Sequence, residues 1–340
     1  MKRYTILFLI VCLVLAMGSL FVLCLGLTMG WWSPLTIEQD DGVSGIGIVR
    51  GNTNGNLQNK GRAVCDGKYI YYVDQYAQPV SICQYDLDTR ENKVLRVIEK
   101  VDWPRDVECL NLIGDSLYYV IGYYITGHSN YSYQVCVLSL KDGSVRILGE
   151  YKLVFYFLIA YDRMFITDDG NTIIRDLKTN TEQTIEDFCL CGIMNGELFG
   201  YRKHEDFCVS LDLNGNETNR YEGVISPIPI CGYLVDLNNL NEDYYTHIGT
   251  IRIIDTITNE ERTFIVPDIP CAGYFNVSKE HFFLQRYWDD ECGEIFRMDW
   301  DGEKIEQVDD RVFGTGVSLW GDTLLADLVP CDEFLRIKAE

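Results

Sequence analysis

The segment "GNTNGNLQNKG", Gly51 to Gly61, carries glycines at 51, 55 and 61 and asparagines at 52, 54, 56 and 59. A glycine-rich loop can turn its main-chain N–H groups onto a phosphate. No Lys-Ser or Lys-Thr pair follows, and no helix is expected after it, so the pattern of a nucleotide loop is absent. A tight loop of Asx-turns explains the composition without a ligand. The functional reading is a polar ligand loop with Asn52, Asn54, Asn56 and Asn59 as contacts.

Other candidate sites lie in three longer insertions: "GYYITGHSNYSYQ" from Gly122, "LNNLNEDYYTHIG" from Leu237 and "RYWDDECGE" from Arg286. They are rich in Tyr and Asn. Flat apolar rings beside amides suit a sugar or a peptide, and the candidate contacts are Tyr124, Tyr131, Tyr245 and Trp288. Plain variation in loop length is the competing explanation. Metal chemistry has little support. Asp299-Trp300-Asp301-Gly302-Glu303 opens like a calcium loop, but the twelfth position is Asp310 rather than a bidentate Glu. Cys189 and Cys191 share a strand face, yet lack further ligands at metal spacing. None of the four histidines, His128, His204, His247 and His281, falls in a catalytic motif, and no cofactor motif is present. Among 51 acidic residues a pair placed for glycoside hydrolysis could arise without leaving a trace in sequence. Asn130, Asn216 and Asn276 each begin an N-x-Ser/Thr sequon, which matters only in a eukaryotic secretory route.

These segments must hang on a scaffold, and the scaffold repeats. Asp86-Leu87-Asp88-Thr89 returns as Ser139-Leu140-Lys141-Asp142-Gly143, Asp176-Leu177-Lys178-Thr179-Asn180 and Asp212-Leu213-Asn214-Gly215. Asp255-Thr256-Ile257-Thr258-Asn259 and Asp299-Trp300-Asp301-Gly302 come next, and Arg336-Ile337-Lys338 is a truncated last copy. The mean spacing is about 42 residues. Strand-like runs flank the copies, as "SICQY" and "KVLRVI" flank the first, which is a hairpin pattern. An aromatic or apolar run behind a turn precedes each, as in "DGKYIYYVD" and "GDSLYYVIG". A further run leads into that turn. Four short strands at this period are the blades of an all-β propeller.

Seven units are expected, and six if the shorter ones merge. The seventh ends at Glu340 without a fourth strand, while "VSGIGIVRG" is spare ahead of the first unit. Closure by an N-terminal strand, Val43–Arg50 against Phe334–Lys338, would use both facts. In such a ring, the connections entering inner strands share a face with those between second and third strands. The three insertions belong on that face.

The N-terminus has its own chemistry. Lys2 and Arg3 precede an uncharged stretch from Ile6 to Gly30. As a helix this stretch would rise roughly 37 Å, enough to cross a hydrocarbon core of about 30 Å. Trp31 and Trp32 come after it, then Glu38, Asp40 and Asp41, an arrangement that leaves the N-terminus in the cytoplasm. The expected organisation is a cytoplasmic N-terminus (1–4), a single-pass signal anchor (5–32), a linker (33–42) and an extracellular propeller (43–340). A cleaved signal peptide is the alternative. With a net charge of -22 the chain repels phosphate backbones, which argues against nucleic acid as a partner. Of the 13 cysteines, Cys12 and Cys24 lie in the uncharged stretch; the other eleven, spread along the chain, read as small buried hydrophobes, with a few disulfides as the alternative.

Ile70-Tyr71-Tyr72-Val73-Asp74 and Met164-Phe165-Ile166-Thr167-Asp168, with partial matches at Leu117-Tyr118-Tyr119 and Phe282-Phe283-Leu284, resemble the YWTD-type propeller of the low-density-lipoprotein-receptor family. The Asp-Leu strings and "GNTNGNLQNKG" look still more like uncharacterised membrane-anchored propellers of anaerobic Gram-positive bacteria. The YWTD family has six blades and flanking cysteine-rich modules, so its ligand contacts do not carry over residue by residue. The expected function is that of a non-enzymatic cell-surface binding module for a glycan or protein ligand. The alternatives are a surface hydrolase acting on glycan or peptide through acidic residues at the ring's mouth, and a structural component of an envelope complex.

Overall fold

The computed structural model describes residues 51–75, 77, 79–98, 106–124, 131–203, 205–236, 249–266, 272–286, 293–320, 323–328 and 335–338. By compactness the chain divides into Met1–Glu38 and Gln39–Glu340. All described residues belong to the second unit. They form a six-bladed β-propeller.

Sheets 1 to 5 each hold four antiparallel strands in simple meander order, spanning 63–97, 107–151, 154–185, 188–222 and 228–266. Their inner strands are Ala63–Cys65, Val107–Ile113, Val154–Ala160, Phe188–Met194 and Ile228–Ile230. Sheet 6, from the inner strand Ala272–Val277 to Leu335–Lys338, has six strands. A meander alone cannot bury both faces, so each sheet packs on the next. Val64, Tyr71, Ile82 and Val73 of sheet 1 share a core with Leu110, Leu117 and Tyr119 of sheet 2. Ile228, Ile251 and Ile253 of sheet 5 share one with Phe275, Phe282 and Met298 of sheet 6. The ring closes where Ala63, Cys65, Ile70 and Tyr72 meet Leu325. Tyr71 and Tyr72 are therefore core residues of the first sheet.

The expected seventh blade is not a sheet of its own. Ile305–Trp320 is one strand. Its first part pairs with Gly293–Asp299 and its last part with Thr323–Leu328, which in turn pairs with Leu335–Lys338. With no chain reversal between Ile305 and Trp320, the strands assigned to a seventh unit extend the sixth sheet. Six blades, the alternative count, is what the structure has. The proposed closing strand Val43–Arg50 lies outside the described residues. So does Ile6–Gly30, and among the described residues no helix is long and apolar enough to cross a membrane.

The ring has two unlike faces. Asp168 Oδ1 accepts from the N–H groups of Lys152 and Leu153, and Gly122 N–H donates to the Asp106 carbonyl. These bonds join the ends of second strands to inter-sheet connections, which defines the loop face. On the other side, Leu87, Leu140 and Leu177 donate N–H groups to the carbonyls of Lys68, Asp115 and Asp162, which defines the turn face.

The recurring aspartates shape the turn face. Asp86 Oδ1 accepts from Asp88 and Thr89, Asp176 Oδ1 from Lys178 and Thr179, Asp255 Oδ1 from Ile257 and Thr258, and Asp212 Oδ1 from Asn214 and Asn216. Bonds to the charged form favour it. The N–H groups of Thr89, Thr179 and Thr258 are foremost in holding Asp86, Asp176 and Asp255 below the ordinary carboxylate value, and the Asn216 side chain does so for Asp212. Asp142, bonded first by the Ser139 and Ser144 hydroxyls, is held down to about 2. Because these folded values are depressed, their contribution is fully present above the unfolded value, about pH 4, and is lost as the pH falls toward 2. The urea midpoint should therefore drop across that window. A D86N/D176N/D255N triple variant keeps an acceptor oxygen but does not titrate, so its acid limb should be shallower. An acid limb identical to the parent's would remove these turns from the pH dependence.

Candidate functional site

The asparagine segment occupies the ring axis. Thr53 Oγ1 accepts from Asn56 N–H at 3.0 Å and caps a single helical turn, Asn54–Gln58. That turn touches the inner strands of sheets 3, 4 and 5 and two strands of sheet 6. Helical spacing sorts the amides by side. Residues four apart point the same way, so Asn54 and Gln58 face sheets 4 and 5. Asn52 and Asn56 face the opposite arc, and Asn59, three residues beyond Asn56, falls on that side.

Most of the amides take up main-chain groups of the inner strands, while Asn56 reaches Leu319 at the end of Ile305–Trp320 and Gln58 reaches Pro227 just ahead of Ile228–Ile230. Asn54 Nδ2 donates to the Ile193 and Pro229 carbonyls, both at 2.9 Å. Its Oδ1 accepts from Ile193 N–H at 3.1 Å and the Tyr156 hydroxyl at 3.0 Å. One side chain thus ties together sheets 3, 4 and 5. Gln58 repeats the link, donating to the carbonyls of Cys191 (2.9 Å) and Pro227 (2.8 Å). Asn56 Nδ2 donates to the Leu319 carbonyl at 2.8 Å and to Asn52 Oδ1 at 2.7 Å; its Oδ1 accepts from Leu319 N–H and Asn276 Nδ2, both at 2.7 Å. Asn52 donates to Ala63 (2.9 Å) and Leu110 (2.8 Å), joining sheets 1 and 2. Asn59 reaches the Phe275 carbonyl of sheet 6. All six sheets are bound by five side chains of one eight-residue stretch, Asn52 to Asn59.

Glycine makes the fit possible at two points. A Cβ on Gly55 would sit 2.0 Å from Asn276 Oδ1, and one on Gly192 would sit 2.7 Å from Asn54 Cγ. Leu57, 1% exposed, carries the hub into the core shared by sheets 2, 3 and 4.

The four asparagines expected to contact a ligand are thus brought together, but buried, with their amides turned onto the chain itself. Tyr124 and Tyr131 end adjacent strands of sheet 2 and stand directly opposite each other in register. Tyr245 and Trp288 lie outside the described residues. Gln58, Asn111, Tyr156 and Asn276 belong to the hub and were not expected there. Asn111 Nδ2 donates to the Cys109 carbonyl at 2.8 Å and to the Phe157 carbonyl of sheet 3 at 3.3 Å. Asn111 and Asn276 did carry a signal: each is the lone polar residue in an apolar run, "CLNLI" and "YFNV". Asn276 is fully buried, so its sequon presents no accessible amide.

At the loop-face end of the axis Glu108 pairs with Lys60 at 3.2 Å and with Arg62 at 3.4 Å, and Asp106 lies 3.6 Å from Arg62. The buried thiols are poor nucleophiles at neutral pH. Burial pushes Cys191 up to about 12, and Cys83 and Cys136 up to about 11. Among the described residues no three His, Cys, Asp or Glu side chains are grouped to hold a metal ion. Among the described residues, the carboxylates whose titration is clearly displaced are all lowered, and most belong to turn-face aspartates.

No protein-family profile matches the chain, and no curated protein matches it in sequence. Its likeness is to solved structures. A chain of the mitotic checkpoint complex aligns over 79% of this chain and 86% of its own length, with a TM-score of 0.52 and 11% identity. An uncharacterized protein from Listeria monocytogenes EGD-e aligns over 83% of this chain and 90% of its own, with a TM-score of 0.51 and 8% identity. The β-propeller domain of the trilobed protease from Pyrococcus furiosus covers 69% of this chain and 84% of its own, with a TM-score of 0.42 and 12% identity. At these identities the shared property is the fold.

Proposed function

We propose that this chain is an interaction scaffold: a structural component of a protein complex at the cell envelope, tethered by its apolar N-terminal segment and engaging its partner through the loop face. The filled axis carries the reading. In many rings the axis is where a small substrate would enter; here the hub occupies it, and its amides are spent on holding the sheets together. Recognition is then left to the outer surfaces, and the loop face is the one on which the repeat pattern of the sequence expects the long aromatic insertions. Phe155 adds support on that face. A bulge in sheet 3 pairs Thr167 with Tyr156 and Asp168 with Val154, which leaves Phe155 unpaired and 64% exposed. Bulges re-aim side chains at functional edges, and an exposed aromatic anchor is what a protein interface uses.

The test is site-specific photocrosslinking on the full-length chain in its native membrane. A crosslinker at Phe155 or Trp288 should trap a protein partner, whereas one at Ile147, exposed on the outer strand of sheet 2, should not. Crosslinks from Ile147 alone would move the interface off the loop face. Glycan or peptide hydrolysis by the purified chain, abolished by substituting loop-face carboxylates, would replace the scaffold reading with that of a hydrolase.

A further inference from the structure

Three Asn-Gly pairs occur in the chain: Asn54-Gly55, Asn195-Gly196 and Asn214-Gly215. Asn-Gly is the pair in which the following main-chain nitrogen most easily reaches the side-chain carbonyl, because glycine presents no side chain to hinder it. Asn195 and Asn214 sit in exposed hairpin turns. Asn54 is different. It is 0% exposed, and both N–H donors and its oxygen are engaged by Ile193, Pro229 and Tyr156. Those bonds fix Cγ against the inner strands, away from the rotation that an attack by Gly55 N requires.

We infer that Asn54 is a self-modification site whose reaction the closed ring suppresses and ring opening releases. In the open chain the Gly55 nitrogen bonds to Asn54 Cγ and the C–Nδ2 bond breaks. Nδ2 leaves as ammonia, taking up the proton lost from the Gly55 amide. Water then opens the five-membered imide at either carbonyl, giving an aspartate or an isoaspartate. No oxidant or reductant is involved.

The product cannot re-form the hub. An aspartate replaces a two-proton donor by an acceptor facing the Ile193 and Pro229 carbonyls, and adds a buried charge without a cation. An isoaspartate also lengthens the main chain within the single turn. Opening followed by modification is therefore one-way, and the segment that closes the ring also records that it has opened.

Full-length protein in detergent micelles is held at mildly alkaline pH, in parallel with and without urea, and deamidation at the three sites is followed by peptide mass mapping. Asn195 and Asn214 should convert in both samples and calibrate the chemistry; Asn54 should convert only in urea. After dilution, the refolded fraction should contain unmodified Asn54 and the misfolded fraction should be enriched in the product. Refolding yield of N54D should fall by about tenfold or more, while N214D should match the parent. Conversion of Asn54 in the folded protein at the rate of Asn214, or equal modification of refolded and misfolded fractions, would overturn the inference.

Discussion

Asn54→Ala should lower the stability of the propeller by on the order of 4 kcal/mol, one of the largest effects available to a single polar residue in this chain. Truncation removes two donors and an acceptor from the interior. The Ile193 N–H, the Ile193 and Pro229 carbonyls and the Tyr156 hydroxyl lose their Asn54 bonds together. Each buried group deprived of a partner costs about 1–3 kcal/mol, and a water entering the space would recover part of that. Against a total stability of about 5–15 kcal/mol the remainder is large. Three sheets meet at this side chain, so the loss should appear in the cooperative urea transition of the whole ring. Lys93→Ala on the exposed outer strand of sheet 1 serves as the control, with a change within about 0.5 kcal/mol. Equal midpoints for the two variants would mean that the hub does not bear on ring stability.

Gly55→Ala is the second large effect, and its sign distinguishes the hub from an ordinary helix. In an exposed helix, replacing glycine by alanine stabilises by up to about 1 kcal/mol. Here the new methyl would lie 2.0 Å from Asn276 Oδ1. Asn276 has little freedom to retreat. Its Nδ2 donates to Asn56 Oδ1 at 2.7 Å and its Oδ1 accepts from Val277 N–H at 2.8 Å. Relief requires breaking one of these bonds or displacing the helical turn, with a cost of about 2–4 kcal/mol. Adding Asn276→Ala should remove the obstruction, so the double variant should be more stable than the sum of the two single changes implies. Strict additivity, or stabilisation by Gly55→Ala alone, would contradict the close approach.

Much of the scaffold was legible in sequence because its determinants are local. Asp86, Asp176, Asp212 and Asp255 bond N–H groups two to four residues onward, so each hairpin announces itself within a short string. The alternation in "KYIYYVDQ" places Tyr71 and Tyr72 in a strand without knowledge of their partners. Blade number was harder. The pattern read a boundary where the chain stays extended from Ile305 to Trp320, and an extended strand needs no turn residue to mark what it pairs with.

The hub was legible in composition but not in purpose. Asn54 meets Ile193 and Pro229 far along the chain, and it meets their main-chain groups, which are the same for every residue type. Nothing in the identity of residues 193 or 229 could have named Asn54 as their partner. The Asx-turn reading anticipated neither the helical turn capped by Thr53 nor the bridging of sheets by the amides. Gly55 held the missing clue: a glycine inside a helical turn is expensive unless another group needs the space, and that group is Asn276.

The central claim is that the asparagine segment fills the axis and completes the inner edges of the sheets. Amide hydrogen exchange of Ile193 and Leu319 tests it most directly, because these N–H groups donate to Asn54 Oδ1 and Asn56 Oδ1 rather than to a neighbouring strand. In the full-length protein both should be as protected as Phe165 and Leu198, which lie in second strands between two paired neighbours, and should exchange only through global unfolding. Exchange of Ile193 and Leu319 orders of magnitude faster than Phe165 and Leu198 would show an open axis and contradict the account.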